Sequence, residues 1–175
     1  MSERIEVRAD GPKPRLIEHI VAVMVRGGLI AYPTDSGYAL GWRTGNRKAQ
    51  DRVVRLRQLK RRIHFTYCCR TLSDVSRYAH VSNWAHRLIR QLTPGPYTFI
   101  LPATSKVPKH PGQKRPSDIG IRLPAHAVGQ AILEPIDDPI RSSSLLRPDL
   151  DDEIYDNEAL YDAVPRDVDV FVDAG

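Results

Sequence analysis

Two hydrophobic periods alternate along this chain and divide it into short strands and helices. Ile5 and Val7 alternate with charged neighbours, the period of a half-buried strand. Leu16, Ile17, Ile20, Val21 and Met24 recur at helical spacing across residues 15–26, and Gly27 stands where a helix stops in the left-handed region. Residues 28–32 are a continuous apolar run that ends at Pro33, so a buried strand delivers Thr34, Asp35 and Ser36 at its end. Gly37 and Gly41 flank Tyr38-Ala39-Leu40, which predicts a tight turn whose backbone comes close to a ligand.

The same alternation continues to the end of the sequence. Asn46 caps a predicted helix reaching Lys60, with Ala49, Val53, Leu56 and Leu59 inward. Residues 65–69 form a strand, 73–79 a short helix, and Ser82 caps a second helix with Trp84, Ala85, Leu88, Ile89 and Leu92 on its core face. A rigid Pro94-Gly95-Pro96 turn feeds the strand 97–101 and holds Thr98 at its start. Residues 102–118 make a long basic loop. Strands then follow over 119–123 and 139–146, separated by a helix over 125–133. An acidic stretch, a helix over 157–163 and a strand over 168–172 complete the chain. This order of elements predicts an α/β protein.

Composition narrows the class. With 175 residues, 41% hydrophobic and 27% charged, the chain has the profile of a single globular domain and is unlike a disordered or fibrous one. Cys68 and Cys69 are adjacent on a predicted strand, so they point to opposite faces and pair neither with each other nor around a metal. They read as small core residues of a cytoplasmic protein. No apolar run is long enough to span a bilayer. No P-loop, G-x-G-x-x-G, HExxH or spaced Cys/His set occurs.

Charge is distributed unevenly around the formal net value of +5. Residues 43–70 hold ten Lys/Arg against the single acid Asp51, whereas residues 149–173 are rich in Asp and Glu with Arg166 as the one base. The basic region favours a polyanion, either nucleotide phosphates or an RNA backbone, or serves as a solvated face. Lys60-Arg61-Arg62 complements a helix dipole or gathers a triphosphate. Arg122 interrupts an apolar strand and must reach an anion or the surface. Ser142, Ser143 and Ser144 end a strand with hydroxyls that suit a phosphate or plain turn chemistry.

Taken in order, PTDSGYALG, LKRR, TPGPYTFIL, IGIRLP and RSSSLL resemble the YrdC-like family of threonylcarbamoyl-AMP synthases. RQLKRRIHFTYCCRTLSDV and NWAHRLIRQLTPGPYTFILPAT are similar to its YciO branch. The resemblance implies a twisted open sheet of mixed parallel and antiparallel strands, flanked by helices, around a cationic concave site. There ATP with Mg²⁺, bicarbonate and L-threonine would give threonylcarbamoyl-AMP and pyrophosphate for modification of a tRNA adenosine. It assigns Thr34, His64 and Arg122 to the amino-acid substrate, and Lys60, Arg62, Thr98 and Ser144 to the nucleotide. No protein nucleophile or protein-held metal is implied, because charge neutralisation and in-line positioning suffice for such chemistry. Two departures from the pattern stand out. Leu146 replaces the asparagine of a Ser-x-Asn element, which predicts weaker nucleotide binding. The sequence also stops at Gly175, where the family's closing strand would begin. A non-catalytic paralogue that binds double-stranded RNA or tRNA, and an adenylate-forming enzyme for another amino acid, are the competing expectations.

Overall fold

In the computed structural model, which describes residues 2–59, 65–108, 114–145, 157–164 and 168–175, one eight-stranded sheet organises the chain. The elements are β1 (Glu3–Glu6), α1 (Pro14–Val25), β2 (Ile30–Thr34), β3 (Gly37–Arg43), α2 (Arg47–Leu56), β4 (Thr66–Cys68) and α3 (Leu72–Tyr78). They continue with α4 (Asn83–Leu92), β5 (Phe99–Pro102), β6 (Asp118–Arg122), α5 (Ala127–Leu133), β7 (Ile140–Ser144), α6 (Asn157–Ala163) and β8 (Val170–Asp173). The strand order is β1-β8-β2-β3-β7-β4-β6-β5. β8 runs parallel to β1 and β2, and β4 runs parallel to β6. The pairs β2/β3, β3/β7, β4/β7 and β5/β6 are antiparallel. The predicted mixed α/β sheet with flanking helices is therefore present.

Local chemistry sets the element ends. Gly27 adopts φ +97°, its N–H bonding the Met24 carbonyl while the Gly28 N–H reaches Val23. This paired closure satisfies carbonyls that the end of α1 would leave open. The Asn46 side chain accepts from the Ala49 N–H at 3.2 Å, and its amide donates to the Gly27 carbonyl at 2.9 Å. One residue thus joins the end of α1 to the start of α2. Ser82 caps α4, and Thr71 and Asp74 form a reciprocal capping box on α3.

The two faces of the sheet are filled differently. Ile30, Tyr32, Val170 and Val172 lie on one face and pack with α1 and α5, while Ala31, Leu40, Trp42 and Phe171 lie on the other with residues of α2 and α6. Tyr67, Ile119 and Ile121 form a third cluster with residues of α3 and α4. Cys68 joins the first cluster and Cys69 the third, both as free thiols, as strand alternation requires.

Two expectations are corrected. Residues 37–41 are part of the full-length strand β3, which pairs with both β2 and β7, and the turn is confined to residues 35 and 36. Gly41 is small for packing: a Cβ there would stand 2.8 Å from Cε1 of Tyr32, whose ring crosses the strand at that point. Trp84 is exposed at 66%, whereas Ala85 and Ile89 carry the buried stripe of α4. Helical side chains lean toward the N-terminus, so Trp84, in the first turn, overhangs the helix end.

Candidate functional site

The face that α1 and α5 cover on one side is open on the other, and strand alternation lines that opening with short side chains. Ala39 from β3, Thr66 and Cys68 from β4, and Ser142 and Ser144 from β7 share this face by register. Together with Tyr32, Thr34, Ser36, Tyr38, Thr98, Arg122, Pro124 and Ser143, they line a cleft with a cavity volume of about 90 Å³. Allowing roughly 10–15 Å³ per water, that volume holds a handful of waters or a small polar molecule. A nucleotide would have to extend across the open mouth.

Thr34 ends β2 at the rim. Its hydroxyl donates to the Gly37 carbonyl at 2.6 Å and accepts from the Ser36 N–H at 3.3 Å. Ser36 Oγ also lies 3.5 Å from this oxygen, at the edge of hydrogen-bond range, so a ligand N–H at Thr34 would compete with the Ser36 hydroxyl for the remaining lone pair.

Arg122 ends β6 on the opposite wall. Its Nη1 donates to Ser36 Oγ at 3.0 Å and its Nη2 to Asp35 Oδ2 at 3.3 Å; the same carboxylate oxygen accepts from the Ala125 N–H at 3.0 Å. The side chains of Arg122 and Asp35 are 14% and 13% exposed. Nε of Arg122 is buried without a partner among the described residues, so the guanidinium keeps donor capacity that the protein leaves unused.

The floor is a short polar chain. The Tyr32 hydroxyl lies 3.0 Å from Ser142 Oγ and 3.6 Å from Cys68 Sγ. Burial pushes the Tyr32 phenol well above its ordinary range, with the nearby Cys68 adding to the effect. Burial likewise pushes the Cys68 thiol up. Both stay neutral near pH 7 and act as hydrogen-bonding surface rather than as nucleophiles. On the far side of β7, Ser143 accepts from Nη1 of Arg57.

Thr98 is exposed just before β5. Its methyl lies against Gly120, 3.3 Å from where a Cβ would stand. The Pro-Gly-Pro turn ahead of it is tied to the end of β6 by the Gly95 N–H, which donates to the Leu123 carbonyl at 2.9 Å. Ser144, exposed at the end of β7, pairs in register with Ala39.

The structure thus brings Thr34, Thr98, Arg122 and Ser144 to one cleft from four separate segments. Lys60, Arg62, His64 and Leu146 lie outside the described residues. Sequence reasoning missed Tyr32, Thr66 and Cys68 as lining residues. The signal was present in the two-residue period, which pairs Tyr32 with Thr34 and Thr66 with Cys68 on one face.

The structure therefore defines an α/β protein with a polar cleft at strand ends on the open face of a mixed sheet. Comparison with known proteins makes the class specific. The family described as Sua5/YciO/YrdC, telomere recombination, matches residues 22–175. The uncharacterized protein YciO of Escherichia coli is 41% identical over 175 residues, covering 100% of this chain and 85% of its own length. Its crystal structure superposes with a TM-score of 0.91 at 40% identity, over 100% of this chain and 85% of that one. A threonylcarbamoyl-AMP synthase of Halorhodospira halophila is 29% identical over 124 residues, 70% of this chain and 64% of that protein. Sua5 of P. abyssi, crystallised in complex with L-threonine, shares the fold with a TM-score of 0.84 at 20% identity, over 99% of this chain and 51% of that one. This chain belongs to the Sua5/YciO/YrdC family. Among the described residues, no helix is long and apolar enough to cross a membrane.

Proposed function

We propose that this protein is an ATP-dependent synthase of the cytoplasm that converts L-threonine, bicarbonate and ATP into threonylcarbamoyl-AMP and pyrophosphate. The product would supply the threonylcarbamoyl group to a tRNA adenosine. The observation that carries the reading is the juxtaposition, in one cleft, of the Thr34 hydroxyl at the rim and the Arg122 guanidinium, whose Nη1 and Nη2 each spend one N–H on the protein and keep a second. An α-amino acid presents an N–H donor and a carboxylate acceptor a few ångströms apart, so the two side chains suit its two ends.

In this reading the threonine amine attacks the bicarbonate carbon, the C–OH bond breaks and water leaves with the amine proton, and an oxygen of the resulting carbamate attacks the α-phosphorus of ATP. The bond from that phosphorus to the bridging oxygen breaks and pyrophosphate leaves. Thr98 and Ser144 stand at the cleft as nucleotide ligands, and Lys60, Arg62 and His64 keep the roles that the resemblance gives them. Asp35 is already engaged by Arg122 and the Ala125 N–H, so Mg²⁺ would enter with the triphosphate. Charge neutralisation and alignment are what the chemistry requires of the protein.

The test is pyrophosphate release from ATP in bicarbonate buffer with and without L-threonine. Threonine-dependent release that falls in Thr34→Val and Arg122→Ala supports the reading. Release equal to that of a Lys60→Ala/Arg62→Ala variant refutes it. A second reading, a tRNA-binding paralogue without catalysis, is favoured by the outer face of α2, where Arg47, Lys48 and Arg55 are exposed. It predicts RNA affinity that falls steeply with salt and is unmoved by ATP.

A further inference from the structure

Arg141 is a charge in the wrong place for a structural residue. It sits in β7 between the hairpin strand β3 and strand β4, opposite Trp42 and Tyr67 in register, and is only 8% exposed. Its guanidinium carbon lies 4.4 Å from the Tyr67 ring centroid and 5.7 Å from that of Phe65. These two aromatics belong to different clusters on the far side of the sheet, so Arg141 occupies the seam between them. Nη1 donates to the Tyr67 hydroxyl at 2.9 Å, while Nε is buried with no partner among the described residues. No carboxylate lies within ion-pair distance of Arg141 among the described residues.

Burial pushes this guanidinium's pKa down, yet arginine keeps its proton inside proteins. A buried cation with no counter-charge among the described residues is destabilising, and the two aromatic faces and the Tyr67 hydroxyl offset that cost only in part. An uncharged side chain of similar length would fill the same space between the rings.

Alternation along β7 explains what the charge is next to. Ile140 and Ser142 flank Arg141 in sequence and project from the opposite face of the strand, where Ser142 and Ser144 line the cleft. The guanidinium therefore lies directly behind the cleft floor, shielded from water by the sheet and by the aromatic clusters. Buried charges are screened far less by salt than those on the surface.

We propose that Arg141 is a positioning charge that acts through the sheet, completing its electroneutrality only when an anionic ligand occupies the cleft on the other side of β7. The inference rests on the proposed reading of the cleft as a nucleotide site and names a determinant of its anion affinity that never touches the ligand. A unit charge roughly 10 Å away, in a medium of effective dielectric about 20, shifts anion affinity on the order of tenfold.

The test titrates inorganic tripolyphosphate into wild type, Arg141→Met, Arg141→Gln and Arg141→Lys by calorimetry, at low and high salt, and measures thermal unfolding of each without ligand. The expected result has two opposite signs. Arg141→Met binds tripolyphosphate about tenfold more weakly, by a ratio to wild type that salt leaves unchanged, yet unfolds at a higher temperature when empty. Arg141→Gln repeats the loss of affinity, and Arg141→Lys, which keeps the charge, retains the wild-type value. Wild-type affinity in both neutral variants overturns the inference alone, as does a ratio that collapses to unity in high salt. A less stable Arg141→Met with unchanged affinity assigns the residue to packing and overturns it too. Failure of the wild type to bind tripolyphosphate instead removes the anionic reading of the cleft, and the role of Arg141 with it.

Discussion

Arg122 and Asp35, 87 residues apart in sequence, meet as an ion pair of 3.3 Å that ties the turn between β2 and β3 to the end of β6. Both side chains are mostly buried, and each has further partners in the same corner. The pair therefore fixes the distance between the two walls of the cleft. Removing one member leaves the other's charge poorly solvated.

Arg122→Ala and Asp35→Ala should each destabilise the protein by about 2 to 4 kcal/mol, with the double variant well short of the sum. Urea denaturation of the three variants checks this. Additive losses would show that the two side chains act independently.

Gly41 is the crossing point for Tyr32. Gly41→Ala puts a methyl where the ring lies, so it should cost about 1 to 3 kcal/mol and move the Tyr32 hydroxyl away from Ser142. Tyr32→Phe leaves the crossing intact and loses only the hydrogen bond, about 1 kcal/mol. Thermal unfolding separates the two, because the packing variant falls further.

Cys68 and Cys69 give the fold an alkaline limit. Burial raises both thiols above their unfolded values, so the unfolded chain ionises first as pH rises. The stability they contribute is complete below about pH 8.5 and drains away above it, by up to about 1.4 kcal/mol per pH unit for each group. Unfolding midpoints measured from pH 8 to 10.5 should fall, and fall less steeply in Cys68→Ala/Cys69→Ala. At pH 8 a thiolate-seeking reagent should leave both native thiols unlabelled.

At the acid end, Asp169 has the opposite sign. Burial pushes its carboxyl up, but hydrogen bonds from Arg52 and the Leu29 N–H, both at 2.7 Å, pull it lower still. Its contribution is present above about pH 4 and is lost as pH falls through the depressed folded value. Because the pair is partly exposed, Asp169→Asn should cost roughly 1 kcal/mol at pH 7, shrinking toward zero near pH 2. Unfolding curves at the two pH values decide it.

Much of this architecture is legible in local sequence. The helical spacing of Ile17, Ile20, Val21 and Met24 matches the buried face of α1, and Asn46 and Ser82 cap the helices predicted for them. The site is legible where a polar group interrupts an apolar strand, as at Thr34 and Arg122. It is illegible where the signal depends on a neighbour across the sheet. Gly41 looks like a turn residue until Tyr32 is seen lying over it. Arg122 declares a need for an anion, but that Asp35 meets part of that need follows only from tertiary contact. Trp84 shows the limit of periodicity, since an apolar residue in a first turn can hang past the core.

The Asn46 amide, which clasps Gly27 and Ala49, stands at the root of the β-hairpin whose tip bears Thr34 and Ser36. With Arg122 gripping the tip, this ribbon is anchored at both extremities and behaves as a strut rather than a flap. Any gate that admits or releases a ligand must then be sought in other parts of the chain, since a shift of the hairpin would have to break both anchors at once.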